Sequence, residues 1–494
     1  MFLARLLVLF SLVCISCAHS SFEQKQLKHA LDFATSNRLE LEILLQHYTY
    51  DSLKLEAAKF LIRNMPHCYS YQQGGEMDSV KRVRTYYSPF GQIDQTYARR
   101  WGHYTYRNLP KIYDAHIITA EYLIDNIDRA FDNWQKRPWN RSLSFEDFCE
   151  YLLPYRIGDE PLEEWRELYE KKYGYLLDSI YKGSDVVEAA NLVSRHLQEP
   201  VFIYCEDFEL PHIGPRYLFS HRYGSCVDAA DIVTYAFRAV GIPCMEDTDA
   251  RGGHVWNVVR DTTGRDVPIW YIASEAVRGS RDTGGYKRGK VYRPMYGFQE
   301  EKAAHLGDDW KSMPLLFYHP YMKDVSYAYY PDTLRILTGI PDDEVCYLAH
   351  FHEAHWWSCA CARSASGKME IPNLESELVY LPIKYTKGNY YPSGFPFWFA
   401  GGEINTFLPD WEKTVKVRLY RKYPVYGWLR SFMGHVVGGT FEGSMTKNFE
   451  DGKTLYEIAD TPVIARNRIF LNKSVKCRYI RYKADNEIGR ASCR

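Results

Sequence analysis

The hydrophobic pattern of this chain changes period twice, and a segment patterned for a helix cannot serve unaltered as a half-buried strand. From about Gln26 to Glu199 apolar residues recur at helical spacing. NRLELEILLQHY and DSLKLEAAKFLIRNM read as two antiparallel helices joined by a short polar turn. SFEDFCEYLLPYRI opens with Ser144 three residues before Asp147, a capping-box-like start, and Pro154 should end that helix. Pro161 suits the first turn of a helix in EPLEEWRELYEKKYGYLLDSI, and Ser184 and Asp185 open another in SDVVEAANLVSRHLQE. From about Pro200 to Trp310 helix and strand signals mix. After Pro314 come short β-branched and aromatic runs, DVSYAYYP, EVCYLAHFH, HWWSCACARS, ELVYLPIKY and TVKVRLYRKYP, split by Gly, Pro and Asp in the manner of antiparallel sandwiches. A break near Asp410 to Lys413 divides these into two units. The expected class is multidomain α+β: a leader over 1–16, an α-helical domain over 17–199, a mixed core over 200–312, a β-sandwich over 313–412 and a second, truncated one over 413–494.

Charge narrows the partners. Lysine plus arginine, 61, nearly cancels aspartate plus glutamate, 62, and no long single-sign block occurs, so nucleic acid is set aside. The 41 tyrosines can supply flat platforms for sugars or peptides, although core packing is the commoner use. Of the 12 cysteines, two lie in or at the end of the leader and the rest, such as Cys68, Cys149 and Cys205, are scattered without a repeating spacing, which argues against a disulfide framework. No Cys-x-x-Cys pair follows the leader, so a structural zinc site of that spacing is not expected, and no cofactor is implied. In HFHEAH, His350 and His352 would share one face of a strand and could approach a metal ion, with His355 nearby. HEAH lacks the i, i+4 spacing of helical zinc sites, so hydrogen-bonded or solvent-facing histidines are expected there and no metal.

The opening MFLARLLVLFSLVCISCAHSS has one basic residue, Arg5, an apolar run from Leu6 to Ile15, and then Ser16 and Cys17. The run is well short of the ~20 residues that span a bilayer, so it reads as a secretory leader. Ser16 before Cys17 resembles a bacterial lipobox, although Cys14 departs from it. That resemblance implies an exported outer-membrane or cell-surface lipoprotein lipidated on Cys17, against cleavage to a soluble periplasmic or secreted protein.

One stretch carries chemistry. In HRYGSCVDAADIVTYAFRAVGIPC, Ala229, Ala230, Val233, Phe237 and Val240 form an apolar helical stripe that Gly241 and Pro243 close, which places Cys226 at the amino terminus of the helix. Helix-terminal N–H groups favour a thiolate there and can hold an oxyanion. Twenty-eight residues on, His254 opens the β-prone HVWNVVRD, which TTGR turns into DVPIWYIASEA.

GSCVDAADIVTYAFRAVGIPC and GGHVWNVV, at this spacing, resemble the transglutaminase-like superfamily, a papain-like thiol fold, over about a hundred residues. The resemblance implies Cys226 as nucleophile, His254 as its base and an acid on the next strand to orient the histidine. The helical front end and β-rich rear look like large secreted bacterial lipoproteins carrying such a domain. For the acid, the second strand offers Asp266, Ser274 and Glu275. If Thr263 and Gly264 form a two-residue turn, Asp261 faces Asp266 and His254 faces Ala273; Asp266 then lies roughly 24 Å from His254, and Glu275 sits diagonal to it on the same face. Glu275 is the expected orienter, with Ser274 favoured by a one-residue change of register. The reaction implied is attack on an amide carbonyl through a thioester, as a peptidase or amidase on peptide or glycopeptide substrates. A protein cross-linking acyltransferase and a non-catalytic surface protein binding glycans or peptides are the alternatives.

Overall fold

The helices of the front end are α1 over 22–33, α2 Arg38–His47, α3 Ser52–Asn64, α4 Gly75–Tyr87, α5 Ala120–Lys136, α6 Phe145–Tyr151, α7 Arg166–Tyr175 and α8 Val186–Leu197, and side-chain caps set α3, α5, α6 and α8. Side-chain oxygens of Asp51, Thr119, Ser144 and Asp185 accept from first-turn N–H groups at 2.8 to 3.2 Å. The helix expected from Pro161 starts only at Arg166. Upstream, the Glu160 carboxylate binds the N–H groups of Ile157 and Gly158 at 2.7 and 2.8 Å, which holds that segment in a loop.

This computed structural model describes residues 22–87, 106–199, 201–204, 210–251, 253–270, 275–281, 287–299, 313–337, 341–352, 355–416, 434, 436–462, 467–471 and 474–484. Cys17 and the apolar leader lie outside the described residues. Among the described residues no helix is long and apolar enough to cross a membrane.

The protein is a mixed helix and strand molecule of the α+β kind. Two short pairs come first, β1 Tyr69–Tyr71 with β2 Lys111–Tyr113, and β3 Ile203–Tyr204 with β4 Tyr223–Gly224. After α9, Pro215–Ser220, and α10, Cys226–Ala239, come β5 Cys244–Asp249, β6 Val255–Arg260, β7 Asp266–Ile269, β8 Val291–Pro294, α11 Leu315–Tyr318 and β9 Met322–Asp324. These strands form an antiparallel sheet in the order β7-β6-β5-β8-β9. DVSYAYYP, expected as a strand, leaves the sheet at Asp324 and forms a 3-10 turn over Ser326–Ala328, because the Asp324 carboxylate accepts the Ser326 N–H at 2.9 Å.

Beyond it β10, Asp332–Leu337, pairs with β13, Lys368–Leu374. The strands β11 Val345–His352, β12 His355–Arg363, β14 Leu378–Thr386, β16 Phe397–Ala400 and β17 Glu403–Thr406 order as β12-β11-β14-β16-β17, with β15, Asn389–Pro392, on β14. A further sheet has β18 Thr440–Ser444 between β19 Lys453–Glu457 and β20 Tyr479–Lys483. TVKVRLYRKYP is described only through Lys416 and forms no strand there.

The described residues fall into two compact units, the second beginning at Leu408 and also taking His355. Within the first, one core crosses the expected boundary at residue 200: Trp139, Trp165, Tyr169, Val186 and Val193 pack with Ile232, Val233, Ala236 and Phe237 of α10 and with Val259 and Val267 of the sheet. The helical front end is therefore part of the packing that seats α10.

Candidate active site

Helix α10 is fixed at its start by a complete capping box. Ser225 Oγ accepts from Val227 N at 3.3 Å, and the Asp228 carboxylate accepts from Ser225 N at 2.8 Å. Cys226 is the first residue of the helix and is buried at 6% exposure. Its i+4 and i+8 neighbours, Ala230 and Thr234, face β6, where Asn257 Nδ2 donates to the Ala230 carbonyl at 3.0 Å and to Thr234 Oγ1 at 2.9 Å. The thiol thus shares the helix face that this strand grips.

His254 precedes β6 and is buried at 5% exposure. Its carbonyl accepts from Asp249 N at 3.3 Å and from Thr248 Oγ1 at 3.0 Å. Asp249, itself buried, ties down the approach: its Oδ1 accepts from Arg251 N at 3.0 Å and Gly253 N at 2.8 Å, and its Oδ2 pairs with the Arg251 guanidinium at 3.0 Å. The imidazole stands edge-on to Trp270 with centroids 4.7 Å apart, and 5.6 Å from the Trp256 ring. Val227 and Val255, each the neighbour of a predicted site residue, line one cavity at this end of the helix–strand pair.

Behind that end a buried polar chain holds Trp256. Its indole N–H donates to Tyr329 Oη at 2.9 Å, Tyr329 donates to Asp247 at 2.7 Å, and Arg293 joins Asp247 at 2.6 Å to Asp266 at 2.7 Å.

The hairpin is one residue out of the expected register. Arg260, not Asp261, faces Asp266, and Asn257 faces Ile269. The cause is the Asp261 carboxylate, which accepts from Thr263 N at 2.8 Å and Arg265 N at 3.0 Å and so builds a wider turn than two residues. The register argument for Glu275 falls with it. Glu275 is half exposed and pairs with Arg195 of α8 at 2.7 Å. Ser274 lies outside the described residues. Asp266 is held by Arg260 and Arg293.

A partly buried pair was missed from sequence. His212 Nδ1 lies 2.9 Å from both oxygens of Asp231, which is fully buried in α10. The signal available was Asp231 itself, a charge set one turn from Val227 in the buried middle of the helix. His350 is buried too; both of its ring nitrogens lack partners among the described residues, and burial pushes its basicity down to about 4. Among the described residues no three His, Cys, Asp or Glu side chains converge as a metal site. Burial pushes the Cys68 and Cys244 thiols up to about 12. No protein-family model matches the chain, and no curated protein matches it.

Proposed function

We propose that the chain is an exported cysteine enzyme, lipid-anchored through Cys17, with a transglutaminase-like core between a helical front end and β-sandwich modules. The observation that carries this reading is that Cys226 opens a capped helix and His254 immediately precedes the strand whose Asn257 bonds that helix. In it the Cys226 thiolate attacks an amide carbonyl of a peptide or glycopeptide. The new C–S bond displaces the amine, which leaves with a proton from the His254 imidazolium. Water then gives its proton to His254 and cleaves the thioester, releasing acid and thiolate. Glu275 has no part in this reading.

The test is labelling by iodoacetamide near neutral pH, with the modified site read by mass spectrometry. Cys226 should react ahead of the other thiols, His254→Ala should slow that reaction at least tenfold, and Cys226→Ala should abolish the fast phase. A fast phase that survives in Cys226→Ala would overturn the assignment.

A second reading has one observation in its favour. Trp398 pairs with Val379 across β16 and β14, and Phe351 and Trp356 are also more than a third exposed. Such rings suit a surface that binds glycans or peptides without reaction. Tryptophan emission unchanged by soluble glycans or peptides would remove it.

A further inference from the structure

Strands β5 and β8 pair only at Thr248↔Tyr292 and Asp249↔Val291. Beyond these pairs Met245, Glu246 and Asp247 on one side and Pro294, Met295 and Tyr296 on the other line a cavity of about 380 Å³. That volume accepts a small organic molecule. Its apolar wall includes Val227, Val255, Met245 and Met322, and the Tyr321 ring lies flat against His67 with centroids 3.6 Å apart.

The buried carboxyls around this cavity are satisfied, with one exception. Asp231 has His212 at 2.9 Å, Glu150 accepts from Tyr296 N and Gly297 N at 2.9 and 3.0 Å, and Asp247 has Arg293 at 2.6 Å. Glu160 has two backbone N–H groups and Arg156 at 3.6 Å. Glu246, 8% exposed and on the cavity wall, has only the Thr234 hydroxyl, which donates to its Oε1 at 2.7 Å, and it forms no ion pair among the described residues. Arg238, on the same wall, spends its N–H groups on the carbonyls of Cys244, Arg156 and Glu150 and on Met245 Sδ. The carboxyls of Glu150, Asp159, Glu246 and Asp247, with Glu160 beside them, outnumber the cations Arg156, Arg238 and His212.

We propose that this cavity binds a primary ammonium group on an aliphatic stem, with Glu246 as its counter-charge. The ammonium supplies the cation that Glu246 lacks, the stem lies along the valine and methionine side chains, and the tyrosine faces favour a cation over an anion. Glu246 is faced by Asp231, Thr234 and Arg238 from α10, by His212 from the loop before α9 and by Asn257 from β6. Burial and the Asp231 charge push its carboxyl up to about 8. Ammonium binding near neutrality therefore expels the Glu246 proton.

Isothermal titration of the full chain with n-butylammonium tests this, with 1-butanol and butyrate as neutral and anionic controls. Affinity for n-butylammonium should rise about tenfold per pH unit from 6 to about 8 and then level, with close to one proton released at pH 7 when the heats in two buffers are compared. Glu246→Gln should weaken binding at least tenfold at pH 8 and remove the proton release. Binding of 1-butanol or butyrate as tight as that of n-butylammonium, or an affinity indifferent to pH, would overturn the proposal, and both readings use the unaltered protein.

Discussion

Glu246 also carries a stability consequence of its own. In the unfolded chain its carboxyl titrates near the ordinary ~4.3, whereas in the fold it is pushed up to about 8. Below the lower value both states hold the proton and the residue is neutral to stability. As pH rises towards 8 only the unfolded state ionises, so stability is lost by at most about 1.4 kcal/mol per pH unit across that window. Glu246→Gln should therefore leave the melting temperature at pH 4.5 nearly unchanged and raise it at pH 7.5; a lower melting temperature at pH 7.5 would contradict the burial argument. At this scale the sequence was informative where a residue announces itself locally. Cys226 was placed by the apolar stripe behind it and its close at Gly241 and Pro243, and His254 by the β-prone run it opens. His212 was illegible because its partner, Asp231, is reached only through a loop whose path no local pattern encodes.

The helix–strand pair α10–β6 is joined by a buried amide as well as by apolar packing. Asn257 Nδ2 bonds both the Ala230 carbonyl and Thr234 Oγ1 in a fully buried position. Asn257→Ala removes both bonds from a buried position, which should cost about 2–3 kcal/mol in urea unfolding. Asn257→Asp should cost no less, since it puts a carboxylate where two acceptors stand. A cost below 0.5 kcal/mol would mean the pair is held by apolar packing alone. Helices with a Ser or Asp cap were legible to within a residue or two, as at Ser144 and Asp185. The β6–β7 register was not, because it turned on whether the Asp261 side chain would capture Thr263 and Arg265, a choice that composition alone does not make.

Across the whole molecule, the change of hydrophobic period along the chain matches a helical front end and a strand-rich rear, but the cut expected at residue 200 does not separate two cores. Trp139, Trp165 and Tyr169 belong to the same apolar cluster as Val233 and Phe237. A fragment limited to 200–312 would expose that side of α10 to water, so it should lack a cooperative thermal transition, whereas residues 22–407 should show one. A sharp transition in the short fragment would show that the front end is dispensable. Period alone cannot reveal such sharing, because a helix face that packs on a neighbouring domain looks the same as one that packs within its own.

The Trp256–Tyr329–Asp247 chain gives the molecule an optical handle. Its indole is fully buried, hydrogen-bonded at the ring N–H, and lies 5.6 Å from the His254 imidazole. An excited indole is quenched by a neighbouring imidazolium far more than by the neutral ring. The emission lost on acidification in the unaltered protein, but retained in His254→Gln, is then a direct titration of this histidine, free of any substrate. If Trp256→Phe shows the same acid quenching as the unaltered protein, the light comes from another indole.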